Sequence, residues 1–214
     1  MLSIVNTRIY GMTESIRGAK FPMAADVSRL DGELTDTINS LGRAGIGTGH
    51  DNFLNGIIVQ FDLKCSNKMW VELQRYHFID FVSSQSTMHR AARLDLESAF
   101  NEYVDDTIKR ACLRLQEHFN EEPTPYKFLQ LVYSLPAGLE LTARMTTNYR
   151  QLKTIYHQRR DHVLPEWQMF CAWMEGLPNS QWIIGGDYAH AAAIRQQKRL
   201  RNRESQTGGN NQSV

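Results

Sequence analysis

A chain of 214 residues, 42% hydrophobic and 22% charged, is long enough to bury the core of one globular domain, or one and a half. Its net charge of +1 excludes a global field that would gather nucleic acid or an anionic membrane. Three cysteines, Cys65, Cys112 and Cys171, form no CxxC pair and read as reduced thiols of a cytoplasmic protein. The opening MLSIVNTRIYGM lacks the basic-then-apolar pattern of a secretory signal. No stretch approaches the roughly 20 apolar residues that span a bilayer.

LSIVNTRIY is short and β-rich and predicts a first strand. SRLDGELTDTINSLGRAG predicts a helix, because Leu30, Leu34, Ile38 and Leu41 recur at three- and four-residue steps. GIGTGHDNFLNG follows as a loop. In IIVQFDLK, Ile57, Val59, Phe61 and Leu63 alternate with more polar neighbours, which predicts a strand with one buried face. Ser66 is placed to cap the next helix, NKMWVELQRY. AFNEYVDDTIKRACLRLQEHFNEE predicts one long amphipathic helix or two in succession, and PYKFLQLVYSLP another, ended by Pro136. LELTARMTTN alternates again, with Leu139, Leu141, Ala143 and Met145 on one face. Two helices follow, YRQLKTIYHQRRDH and PEWQMFCAWMEGL. Residues 195–214 turn basic and then Gly/Asn-rich, so residues 1–194 are expected to form one domain and the rest a disordered tail. Strands and helices mix without βαβ alternation, and the expected class is α+β: a central, mostly antiparallel sheet flanked by helices.

Several motifs admit a chemical and a plain reading. GIGTGHD lacks the third glycine of the dinucleotide pattern and is followed by no GK[ST], so it reads as a loop. His157 and His162 lie five apart, a poor spacing for a shared metal on one helix face, and no metal site is expected. The basic run Arg195 to Arg203 carries no interleaved aromatics and reads as a solvated tail, not a nucleic-acid platform. In NYRQLKTIYHQR, Asn148, Leu152, Ile155 and Arg159 share one helix side, and Arg150 and His157 the opposite one. Two ordinary surface or ion-pair arginines would explain this; so would anionic ligands approaching the helix from two sides. The window YHFIDFVSSQSTMH, residues 76–89, places hydroxyls and two imidazoles among aromatics, which fits neither a core segment nor an ordinary loop.

With these residues in place, LPAGLELTARMTTNYRQLKTIYHQRRDHVLPEWQ resembles the C-terminal half of the flavin-dependent thymidylate synthases. That family has LP, a strand, N-x-R-x-L, a later arginine on the same helix, and an AQWE-like box. Here Leu135-Pro136, Asn148, Arg150, Leu152 and Arg159 stand at the matching spacing, with Pro165 to Gln168 in the place of the last box. Upstream, GHDNFLNGIIVQFDLKCSNKMWVELQRYHF is similar in layout to the family's H-x-S-x-x-E-H, strand, helix and RHR run, with His50 at its first histidine. Laid without gaps on the signature RHRxxSxNxxSxRY, only His77 and Ser86 agree. Tyr76 and Phe78 stand at the two arginines, and Met88-His89 at Arg-Tyr. The resemblance spans roughly residues 50 to 175, and its style is similar to a branch found in phages and mobile elements.

The resemblance implies a homotetramer with sites between subunits, bound FAD reduced by NADPH, dUMP as substrate and methylenetetrahydrofolate as carbon donor. By position it implies that His50, His77, Asn148 and Arg150 hold FAD. Arg159 would grip and polarise the uracil edge, and Ser86 would receive the nucleotide phosphate with Ser84, Thr87 and His89 beside it. A pyrimidine C5 hydroxymethylase, or an inactive nucleotide- or flavin-binding protein of the same fold, stand as alternatives.

Overall fold

A computed structural model describes residues 1–185; the expected tail at 195–214 and the end of the expected domain at 194 lie outside the described residues. The architecture is α+β, as expected. Four strands, β1 (Ser3–Tyr10), β2 (Ile58–Ser66), β3 (Ile79–Ser84) and β4 (Glu140–Asn148), form one sheet in the order β1-β2-β4-β3. Every pairing is antiparallel.

The alternation in the two central strands decides which face is covered. Val59, Phe61, Leu63 and Cys65 of β2 and Leu141, Ala143 and Met145 of β4 are buried, while Gln60, Asp62, Lys64, Thr142, Arg144 and Thr146 are half-buried on the other face. Two helices cover the buried face: α8 (Tyr149–Arg159), through Leu152 and Ile155, and α9 (Pro165–Glu175), through Trp167 and Phe170. A second, smaller core joins Leu139 and Leu141 to Leu96 of α5 (Leu96–Ala99), Cys112 of α6 (Asp106–Glu121) and Leu131 of α7 (Pro125–Ser134).

Helix starts follow cap chemistry. Ser66 Oγ accepts from the Met69 N–H at 3.3 Å and opens α3 (Asn67–Leu73) as expected, and Asn148 Oδ1 accepts from the Gln151 N–H at 2.8 Å and opens α8. The predicted helix from Ser28 to Gly45 is corrected to a 3₁₀ turn at Val27–Arg29 and a short α2 (Asp36–Gly42). Asp31 Oδ1 accepts from the Glu33 N–H at 3.1 Å and holds that stretch in a turn. Helical geometry begins only where Thr35 Oγ1 accepts from the Ile38 N–H at 3.3 Å. The predicted 99–122 helix begins only at Asp106, as α6, since Phe100 bridges to Leu139 of the sheet. The strand β3, at the sheet edge, was not foreseen.

Candidate functional site

The expected ligand residues gather at two ends of β4, with Arg159 in the helical layer. Ile58 and Ile79 of the neighbouring strands register with Asn148 and Thr147, so the segments preceding β2 and β3 meet the start of α8. Asn148 is buried as its cap, and its amide NH₂ donates to no group among the described residues. Arg150 lies one turn on, its side chain 32% exposed, with Nε 3.7 Å from Asp51 Oδ1. Asp51 itself is fully buried. Its other oxygen is 3.4 Å from Lys153 Nζ, and neither oxygen accepts a hydrogen bond among the described residues. Lys153, also fully buried, donates to the Gly42 and Ala44 carbonyls at 2.9 and 2.5 Å. Burial pushes its amine below the usual lysine range, and Asp51 opposes that push.

This buried pair ties the glycine-rich loop at 45–49 to α8. Gly47 and Gly49 occupy left-handed backbone, φ 85° and 84°, which explains glycine at these positions without a dinucleotide motif. His50, next to Asp51, is exposed. His77 is exposed at the start of β3, where Phe78 adopts φ 62° and its carbonyl accepts from Thr147 Oγ1 at 2.8 Å. A left-handed phenylalanine is strained, and Thr147 holds it.

The hydroxyl-rich window lies at the opposite end. Ser84 registers with Ala143, five residues along β4 from Asn148, roughly 17 Å away at about 3.4 Å per residue. Ser84, Ser86 and His89 line one cavity of about 960 Å³, joined by Arg90 and Arg93. Gln85 is bound into the sheet by the Thr142 backbone: its N–H donates to the Thr142 carbonyl at 2.9 Å and its Oε1 accepts from the Thr142 N–H at 2.8 Å. Thr87 sits half-buried at the first position of α4 (Thr87–Arg90), outside the lining. The hydroxyls of Ser84 and Ser86, and the side chains of His89, Arg90 and Arg93, have no hydrogen-bond or ion-pair partner among the described residues. A concave surface of unengaged hydroxyls and cations with one carboxylate, Asp95, suits an oxyanion.

Arg159 is already engaged. Its side chain is 12% exposed; Nε donates to the Tyr76 hydroxyl at 2.7 Å and Nη1 to Glu72 Oε2 at 3.2 Å. The guanidinium carbon lies 4.7 Å over the Trp167 ring. Only Nη2 makes no hydrogen bond among the described residues. Glu72 also accepts from Lys68 at 2.7 Å and from Trp167 Nε1 at 2.8 Å. Burial opposes ionisation of Glu72, but the bonds from Lys68 and Trp167 and the charges of Lys68 and Arg159 outweigh it and hold the carboxyl below its ordinary value of 4.5. A depressed folded pKa adds stability above that ordinary value, which is lost as pH falls through the lowered one. Glu72→Gln is therefore expected to flatten this part of the acid-unfolding curve, measured by circular dichroism; an unchanged curve removes Glu72 from the acid response. Beside Glu72 opens a mainly apolar cavity of about 870 Å³ that also touches His162, Leu164 and Met169.

Sequence reasoning passed over Arg90, Arg93, Glu72, Asp51 and Lys153. The strand that leads to the two cavity arginines carries a β-bulge: Phe81 and Ser83 of β3 face consecutive residues Met145 and Arg144 of β4, so β3 has one extra residue.

Neither a protein-family model nor a curated protein matches the chain. Solved structures do. The flavin-dependent thymidylate synthase ThyX of Helicobacter pylori, complexed with FAD and dUMP, aligns with a TM-score of 0.66 at 18% identity, covering 85% of this chain and 97% of that one. A second structure of the Helicobacter pylori enzyme with FAD and dUMP gives the same TM-score and identity over 86% and 97%. The UMP/dUMP methylase PolB of Streptomyces cacaoi, bound with 5-Br dUMP, aligns at 0.56 and 17% identity over 86% and 93%. The antiparallel sheet, the helices on its one covered face and these alignments agree: the chain has the fold of the flavin-dependent thymidylate synthases.

Proposed function

We propose that this chain is a flavin-dependent enzyme acting at C5 of a pyrimidine nucleotide, methylating dUMP with methylenetetrahydrofolate as carbon donor and NADPH as reductant. The observation that carries this reading is the cavity at the end of β3, with its unpaired Arg90 and Arg93 beside Ser84, Ser86 and His89, on a fold whose solved examples hold FAD and dUMP. Ser84, Ser86, His89 and Arg90 bind the nucleotide phosphate, with Thr87 behind them. Charge-assisted bonds from Arg90 supply the cation that a phosphate calls for.

FAD fits the other end of β4. The spare Asn148 amide and the exposed part of the Arg150 guanidinium offer donors, and His50 and His77 stand free beside them. When bound, the flavin supplies hydride to the transferred one-carbon unit. Arg159, fixed by Glu72, Tyr76 and Trp167, presents Nη2 to a uracil carbonyl and stabilises negative charge developing there. The roughly 17 Å between the two ends favours sites completed by another copy, as in a homotetramer. Phe78 and Val82, exposed beside and on the β3 edge, offer apolar surface for that contact.

The test is growth rescue of a thymidine-requiring bacterium beside the visible spectrum of the pure protein. A yellow protein that restores growth is expected; a colourless protein that takes up no FAD and restores nothing sinks the reading. Arg159→Ala is expected to abolish measurable dUMP binding in calorimetry with the fold retained, and unchanged affinity removes Arg159 from the site. Arg150→Ala is expected to lower flavin occupancy several-fold, read from the ratio of flavin to protein absorbance. Equal occupancy makes the role given to that helix side wrong.

A further inference from the structure

We propose that Tyr76 is a second catalytic donor in the pyrimidine site: its hydroxyl donates to the C4 carbonyl oxygen of the base, beside Arg159, and so selects a 4-oxo pyrimidine. This rests on the reading of Arg159 as the group that meets the uracil edge. Its ground is the unused proton of one hydroxyl. The Tyr76 oxygen accepts from Arg159 Nε at 2.7 Å, and its own hydrogen goes to no group among the described residues. Burial pushes the phenol above its ordinary value of 10, against the pull of Arg159, so the hydroxyl keeps its proton at neutral pH.

The pair is built before any ligand arrives. The Tyr76 ring packs edge-on to the fully buried Trp167, ring centroids 6.0 Å apart, and the Tyr76 N–H donates to the Leu73 carbonyl at 3.0 Å. Arg159 lies over the same indole at 4.7 Å, with Nη1 on Glu72 Oε2 at 3.2 Å. A planar guanidinium projects its Nε hydrogen and one Nη2 hydrogen side by side from one edge. Tyr76 takes the Nε hydrogen. An acceptor taken by Nη2 on that edge therefore comes to rest beside the Tyr76 oxygen, within the reach of about 2.6–3.2 Å that a hydroxyl needs. Two donors converge on one atom.

A carbonyl oxygen is the acceptor that fits. Its two lone pairs take both bonds, whereas an amino group, as at C4 of cytosine, sets hydrogens against hydrogens. The C4 carbonyl is the one conjugated with the C5–C6 double bond, so electron density shifted during a reaction at C5 reaches its oxygen. Donors already fixed around that oxygen stabilise the charge without rearranging. The bond from Arg159 polarises the phenol and makes it the better donor. No proton is transferred.

The experiment is calorimetric titration of the full chain with dUMP and with the analogue whose 2-pyrimidinone base carries hydrogen in place of the C4 oxygen. It is repeated on Tyr76→Phe and on Tyr76→3-fluorotyrosine. The unaltered chain is expected to bind dUMP at least about tenfold more tightly than the analogue. Tyr76→Phe is expected to weaken dUMP about five- to tenfold and to leave the analogue within about twofold. Fluorine makes the hydroxyl a stronger donor and a weaker acceptor, so at slightly acidic pH the fluorinated chain is expected to hold dUMP at least as tightly as its parent. Circular dichroism confirms that each variant folds. Unchanged dUMP affinity in Tyr76→Phe, or an equal loss for both ligands, overturns the proposal alone. A fluorinated chain that falls to the Tyr76→Phe level has a hydroxyl that only accepts from Arg159, and overturns it as well. Equal binding of dUMP and the analogue by the unaltered chain, or binding of neither, overturns it together with the reading of Arg159 beneath it.

Discussion

Lys153→Ala is expected to destabilise the fold by about 3–5 kcal/mol, the range seen when one member of a buried ion pair is removed. Lys153 and Asp51 are both fully buried, and Lys153 also satisfies the Gly42 and Ala44 carbonyls at the end of α2. Without the ammonium, Asp51 keeps only Arg150 at 3.7 Å, and two backbone carbonyls lose their donor. The cost arises chiefly from the uncompensated charge. Removing the charge at both positions, as in Lys153→Met with Asp51→Asn, is therefore expected to recover a large part of the loss. Urea unfolding of the single and double variants measures both. A single variant within about 0.5 kcal/mol of the parent, the usual range of a surface substitution, contradicts the burial of this pair.

Arg90→Ala is expected to weaken nucleotide binding by about 10–100-fold, the equivalent of about 1.5–3 kcal/mol for a hydrogen bond to a charged group. The residue is exposed on a braced turn and pairs with nothing in the chain, so its loss leaves no stranded partner and the melting temperature stays put. Arg90→Lys keeps the charge but loses the planar fork, and falls between the two. Calorimetry at two salt concentrations checks the assignment, since a phosphate contact weakens as salt rises. Nucleotide affinity that ignores both substitutions removes Arg90 from the cavity's function.

Much of the architecture was legible in short stretches because burial acts on each residue with a fixed period. The alternation in 57–65 and 139–145 marked the two central strands and their covered faces, and Ser66 and Asn148 marked helix starts through their side-chain oxygens. The helix expected across 28–45 failed for a local reason that the hydrophobic period does not register. Asp31 bonds its own backbone neighbour more readily than it joins a helix. The strand β3 escaped notice because it lies at an edge, exposed along most of its length, and its residues alternate with nothing buried.

The linear order of residues by itself determined the α+β class, the two central strands, the helix carrying Asn148, Arg150 and Arg159, and the candidate ligand residues. Tertiary structure decided what each of them does next. It separated Asn148 and Arg150 from the serines of the window by about five residues of β4, and enclosed most of Arg159 among Glu72, Tyr76 and Trp167. It also left Arg90 and Arg93 without partners, inside a cavity that no spacing rule anticipates. The reason is physical: a repeating pattern reports which side of an element avoids water, whereas the engagement of a charged side chain depends on groups brought near it from distant parts of the chain.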